Sequence, residues 1–159
     1  MTRKEQYNQL ILQIAGLIKD ETNLVGILAN VSAALHDTFP ERFFWVGFYL
    51  QENGNMLRLG PFQGSVACYV IPFGKGVCGK AWEEGCTLIV PDVEKFPGHI
   101  ACSSLSRSEI VVPMYDDSHT FHGVLDIDSI QLNDFNEDDK EGLERIIELL
   151  MAETQDLFQ

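Results

Sequence analysis

Apolar positions recur at helical spacing through the first forty residues. Leu10, Ile14 and Leu17 share one helical face, with Ile11 and Ile18 beside it. Asp20-Glu21-Thr22-Asn23 supplies capping chemistry, and a second apolar series follows at Leu24, Ile27, Leu28, Val31 and Leu35. Phe39-Pro40 ends it, so a helical segment is expected over about residues 1–38. The period then changes. Phe43 to Leu50 is aromatic and β-branched, Glu52-Asn53-Gly54-Asn55 is a hairpin turn, and Met56 to Leu59 returns as a second strand. Cys68 to Ile71 reads as a third strand. Phe73-Gly74-Lys75-Gly76-Val77-Cys78-Gly79 leads into a short helix over Lys80 to Glu84, and Thr87 to Val90 is a further strand. Pro91 to Ser106 has no periodicity and two prolines. It reads as a long loop, and loops of that length in compact domains usually carry function. Glu109 to Tyr115 and Phe121 to Ile127 pair across Asp116-Asp117-Ser118-His119. Asn136 to Leu157 closes the chain as an amphipathic helix that buries Leu143, Ile146, Ile147, Leu150 and Met151.

Helix, helix, strands, short helix, strands, helix is an α+β order. It predicts a mainly antiparallel sheet, over about residues 43–130, flanked by N-terminal and C-terminal helices. No repeat or linker interrupts it, so the 159 residues are expected to form one domain. A hydrophobic share of 45% suffices for a core. The formal net charge of −13 argues against nucleic acid or an anionic membrane surface as partner. Much of it lies after Asn133, where nine acids face only Lys140 and Arg145. That run is expected to be a solvated helix face without function. Met-Thr-Arg-Lys-Glu opens the chain, no signal-like segment follows and no long apolar run occurs. The expectation is a soluble cytoplasmic protein, in which four cysteines are buried hydrophobes or chemically active thiols rather than structural disulfides.

Gly74-Lys75-Gly76 lacks the first glycine and the Ser/Thr of a phosphate loop, so it reads as a turn into a helix. Cysteines at 68, 78, 86 and 102 form no tight pair. His99 and Cys102, three apart, give a weak hint of a metal, and no structural zinc is expected. Cys86, at the start of a strand, reads as a small buried hydrophobe. Cys78 lies between glycines at a helix start, where the dipole would lower a thiol pKa. Cys102, in the long loop, is placed for exposure and reactivity. Cys68, in a short apolar strand, fits burial and function equally. Period-two alternation puts Asp126 and Asp128 on one strand face, and the hairpin returns Glu109 beside them. Acids are poor strand formers, so the cluster is either an exposed sheet edge or a site. Three clustered carboxyls suit a metal or a ligand ammonium, and their mutual repulsion raises at least one pKa, leaving a proton donor near neutrality.

Trp45-Val46-Gly47-Phe48-Tyr49, Leu59-Gly60-Pro61-Phe62-Gln63-Gly64 and Ala67-Cys68-x-x-Ile71 together resemble the free methionine-(R)-sulfoxide reductases. So do Gly74 to Gly79, Phe96-Pro97-Gly98-His99-Ile100-Ala101-Cys102, Ser108 to Pro113 and Gly123 to Ser129. The resemblance spans nearly the whole chain and implies a single GAF-like domain, a homodimer, and reduction of the free amino acid sulfoxide. It implies Cys102 as nucleophile, Cys68 as the main resolving thiol and Cys78 as an alternate. It places Glu109, Asp126 and Asp128 in the substrate pocket and Trp45 and Tyr49 against the ligand, and it assigns Cys86 no role.

The expected chemistry follows. Cys102 attacks the sulfoxide sulfur, a protonated acid of the cluster serves the departing oxygen, and a cysteine sulfenic acid forms. Cys68 or Cys78 condenses with it. Thioredoxin, supplied by NADPH through thioredoxin reductase, resets the enzyme, with no bound cofactor or metal. Two rivals accompany this reading: a GAF-type sensor that binds a small ligand without catalysis, and a carboxylate metal site on Glu109, Asp126 and Asp128.

Overall fold

The computed structural model describes residues 1–158. Helices α1 (Arg3–Ile18) and α2 (Leu24–Thr38) lead into β1 (Trp45–Glu52), β2 (Met56–Gln63) and β3 (Val70–Pro72). Helix α3 (Gly76–Glu84), β4 (Leu88–Val90), β5 (Ser108–Tyr115), β6 (Phe121–Ser129) and α4 (Glu137–Thr154) follow. Six strands form one antiparallel sheet in the order β3-β2-β1-β6-β5-β4, which is the α+β architecture expected. Among the described residues no helix is long and apolar enough to cross a membrane.

Alternation along the central strands divides the interior in two. Val46 and Phe48 of β1, Ile110 and Val112 of β5, and Leu125 and Ile127 of β6 point to one face, where α2 and α4 cover them and α1 packs on those two helices. Trp45, Tyr49, Val111 and Val124 point to the other, beneath α3. That second, smaller core holds the candidate site.

Caps explain the helix starts. Thr2 and Glu5 form a capping box for α1, Asn23 accepts from the Gly26 amide at α2, and Asn136 with Asp139 boxes α4. The buried stripe of α1 runs Tyr7, Leu10, Ile14, Ile18, so Leu17 falls on its margin and is exposed, against expectation. Strand β3 begins at Val70 rather than Cys68, which leaves Cys68 in the connection before it. The long loop contains one 3-10 turn, Val93–Lys95.

The acidic C-terminal run is not all solvated. Asp139 is fully buried. It accepts from Tyr7 Oη at 2.7 Å, Arg3 Nη1 at 2.8 Å and Arg42 Nη2 at 3.1 Å. Asp134 accepts from Arg42 Nε at 3.0 Å and Ser129 Oγ at 2.6 Å. Helical periodicity marks which side of α4 faces inward, but not that two arginines from distant segments wait there.

Candidate active site

Three central strands build the floor. Trp45 of β1 lies opposite Asp128 of β6, which lies opposite Glu109 of β5. In the next row of the same face Gly47, Asp126 and Val111 are opposed. The register therefore brings Glu109, Asp126 and Asp128 together as the hairpin predicted. The cluster does not lie at an edge, because β6 and β5 are both interior strands. Helix α3 closes over it. Gly76, at φ +61°, starts that helix under the Ile100 side chain. A Cβ on Gly79 would come within 2.6 Å of the Pro72 carbonyl, so glycine lets the helix seat this closely. The Gly74–Gly79 segment is thus a turn into a helix, as read from the sequence.

Burial governs the electrostatics. Glu109 and Asp126 are about nineteen-twentieths enclosed, at 5% and 6% exposure. Loss of solvent pushes the Glu109 and Asp128 carboxyls well above the usual range, with Asp126 adding repulsion to both. Asp126 is raised less far: burial pushes it up, while hydrogen bonds with Glu109 and Cys78 oppose the rise. When Glu109 is ionised it has no proton to give, and the buried Asp126 Oδ1 has no donor. Burial of the floor therefore favours the protonated carboxyls over the ionised ones.

Cys68 and Cys102 are joined in a disulfide, Cα to Cα 5.5 Å, at the mouth of this pocket. The Cys68 carbonyl accepts a hydrogen bond from Tyr49 Oη at 3.1 Å, which ties the segment before β3 to β1. Cys78 is a free, buried thiol. Burial pushes its pKa well up, and the field of Asp126, Glu109 and Asp128 pushes it further. The expected lowering by the helix dipole is overridden. Cys86 is exposed rather than buried, because the strand following Gly85 begins only at Leu88.

Trp45 donates from Nε1 to the Ser65 carbonyl at 3.0 Å and stacks between Tyr49 and Phe62, with centroids at 5.8 and 5.1 Å. Trp45 and Tyr49 thus form an aromatic wall beside the acids. The cavity has about 530 Å³ of empty volume, part of it open to solvent. It takes in all eight residues singled out from the sequence except Cys68, whose partner Cys102 lines it. His99, Ile100, Ser103 and Ser106 of the long loop line it too. His99 showed in the sequence through its spacing from Cys102 and within the Phe96–Cys102 motif, without a role of its own. Its Nε2 lies 3.8 Å from Glu109 Oε1, and burial lowers its pKa, so it faces the acids as a neutral ring. For a cation, Cys78, Glu109 and Asp126 each offer a ligand atom within 4.8 Å of the others.

No family model matches the chain. A Dictyostelium discoideum protein named GAF domain-containing protein A is 56% identical over 149 residues, covering 94% of this chain and 92% of that protein. The free methionine-R-sulfoxide reductase of Saccharomyces cerevisiae is 43% identical over 155 residues, covering 94% of this chain and 86% of that enzyme. Among solved structures, the free methionine-R-sulfoxide reductase of Neisseria meningitidis in complex with its substrate superposes with a TM-score of 0.93 at 46% identity. The match covers 98% of this chain and 92% of that one.

Proposed function

This chain belongs to the free methionine-R-sulfoxide reductase family, and from that membership we propose that it reduces free methionine-(R)-sulfoxide to methionine as one GAF-like domain over 1–159. The observation that carries the reading is a disulfide from Cys102 to Cys68 at the mouth of a pocket floored by buried carboxyls.

In the reduced enzyme the Cys102 thiolate attacks the sulfoxide sulfur. A proton from Glu109, shared with Asp126, serves the sulfoxide oxygen as it leaves. The oxygen moves from the substrate sulfur to Cys102, the transient Cys102–substrate S–S bond breaks, and methionine departs; its sulfur gains the two electrons that Cys102 loses in becoming a sulfenic acid. Cys68 attacks that sulfenic sulfur, water leaves and the disulfide forms. Cys78 is the alternate thiol for this step. Trp45 and Tyr49 wall in the S-methyl group, Asp126 and Asp128 receive the substrate ammonium, and backbone amides of the Cys102–Ser108 loop receive its carboxylate. Thioredoxin then reduces the disulfide by exchange, drawing on NADPH through thioredoxin reductase, and no bound cofactor is required. The resemblance also supports a homodimer in the cytoplasm, for which sedimentation and localisation of a tagged chain are the checks.

NADPH consumption with thioredoxin and its reductase tests the activity. The R epimer of free methionine sulfoxide should sustain turnover, and the S epimer should not. A pocket that only bound its ligand would leave the free-thiol count unchanged on adding the sulfoxide, whereas this reading requires two thiols to disappear.

A further inference from the structure

Cys78 makes no disulfide, is buried at the base of the pocket and looks onto two acids. Its Sγ, a Glu109 oxygen and an Asp126 oxygen lie within 4.8 Å of one another. The three side chains come from α3, β5 and β6, which pack directly on one another, so their spacing is held by regular elements. Asp126 is 6% exposed and its Oδ1 has no partner. Such an oxygen is costly to bury, and either a proton on Glu109 or a cation relieves it.

The donor set selects the cation. A thiolate with two carboxylates suits a borderline metal such as Zn²⁺, bound at about 2.3 Å from sulfur and about 2.0–2.2 Å from oxygen. Ligand atoms around such an ion stand roughly 3.5 Å apart, so a contraction of about 1 Å closes the site. Mg²⁺ and Ca²⁺ need more oxygens and no sulfur. Three protein ligands leave the fourth position open to the pocket.

We propose that Cys78, Glu109 and Asp126 form a Zn²⁺ site at the base of the pocket, and that its occupation blocks the reductase. The thiol proton and the carboxyl proton leave to solvent and no electron moves. The blocking half rests on the function proposed above, because the ion takes the carboxyls that the sulfoxide would use.

The binding test needs no turnover. Chelator-treated protein in the disulfide form keeps Cys68 and Cys102 unavailable, leaving Cys78 and Cys86 as thiols. Cd²⁺ is titrated while the thiolate-to-metal charge-transfer band is followed, and Zn²⁺ binding is measured by calorimetry. One equivalent is expected, unchanged in Cys86→Ala. Cys78→Ser should lose the band and bind Zn²⁺ at least about tenfold more weakly, as outer and inner ligand losses typically do. Asp126→Asn and Glu109→Gln should weaken binding likewise, which keeps the test decisive if Cys78→Ser does not fold. No binding, a band that survives Cys78→Ser, or a band that vanishes with Cys86→Ala overturns the site. For the blocking half, pre-reduced enzyme is given one turnover with and without Zn²⁺. The rate should fall, recover with chelator, and fall far less in Cys78→Ser relative to that variant's own zinc-free rate. Binding without inhibition removes the blocking half alone. Turnover without metal binding removes the site and leaves the function standing.

Discussion

An acid that serves the departing sulfoxide oxygen has to keep its proton, and burial moves Glu109, the proposed donor, in that direction. Glu109→Gln should cut the rate by about 10²–10⁴, the usual share of a general acid. Wild-type rate should fall as pH rises through the elevated Glu109 pKa, and the Gln variant should lack that limb. Stability has the same sign. Between the ordinary carboxyl pKa and its elevated folded value, the native state binds more protons than the unfolded chain, so stability falls as pH climbs. Glu109→Gln should therefore raise Tm at about pH 9 and much less at about pH 5, read by calorimetry at both. A variant slower in turnover yet more stable in alkali identifies a carboxyl kept for chemistry.

Helices α1 and α4 meet through charge as well as packing. Arg42 serves both Asp134 and Asp139, with its guanidinium 5.1 Å from the Phe39 ring centre. Arg42→Ala leaves Asp139 enclosed with fewer donors and should cost about 3–5 kcal/mol in urea unfolding. Tyr7 docks beside them, and Gly142 of α4 lies against its ring: a Cβ there would stand 2.3 Å from Tyr7 Cγ. Alanine is the better helix former by about 1 kcal/mol, yet Gly142→Ala should lower Tm, because the ring fills the space. Isolated α4 peptide should show the opposite order of helicity by circular dichroism, which separates propensity from contact.

The catalytic cycle changes the whole molecule through one bond. The Cys68–Cys102 disulfide spans a sequence separation of 34, and closing such a loop constrains the unfolded chain by up to about 4 kcal/mol in the chain-entropy view. Reduction should lower Tm, and Cys68→Ser should melt like the reduced protein whatever the redox buffer. A Cys68→Ser, Cys78→Ser double variant, which lacks both resolving thiols, should still release about one equivalent of methionine per chain before stalling, since the oxygen transfer needs only Cys102. Rapid-quench counting of methionine checks it. Cys102→Ser should release none.

Local pattern determined much of this protein. Period-two alternation put Asp126 and Asp128 on one face, the hairpin returned Glu109 to them, and helical spacing marked α2 and α4, because side-chain direction follows backbone period whatever lies opposite. Tertiary structure decided depth. Strands β1 and β5 enclose β6, and the loss of solvent raises all three carboxyls above their ordinary pKa. The same enclosure raises Cys78, where the local signal of a helix start pointed down. Cys86 emerges to solvent, and Asp139 is drawn inward by Arg3, 136 residues away in the chain, and by Arg42, 97 away. A side chain's direction is written in its neighbours in sequence. Its solvent, its partners and hence its pKa come from segments that only the fold brings beside it.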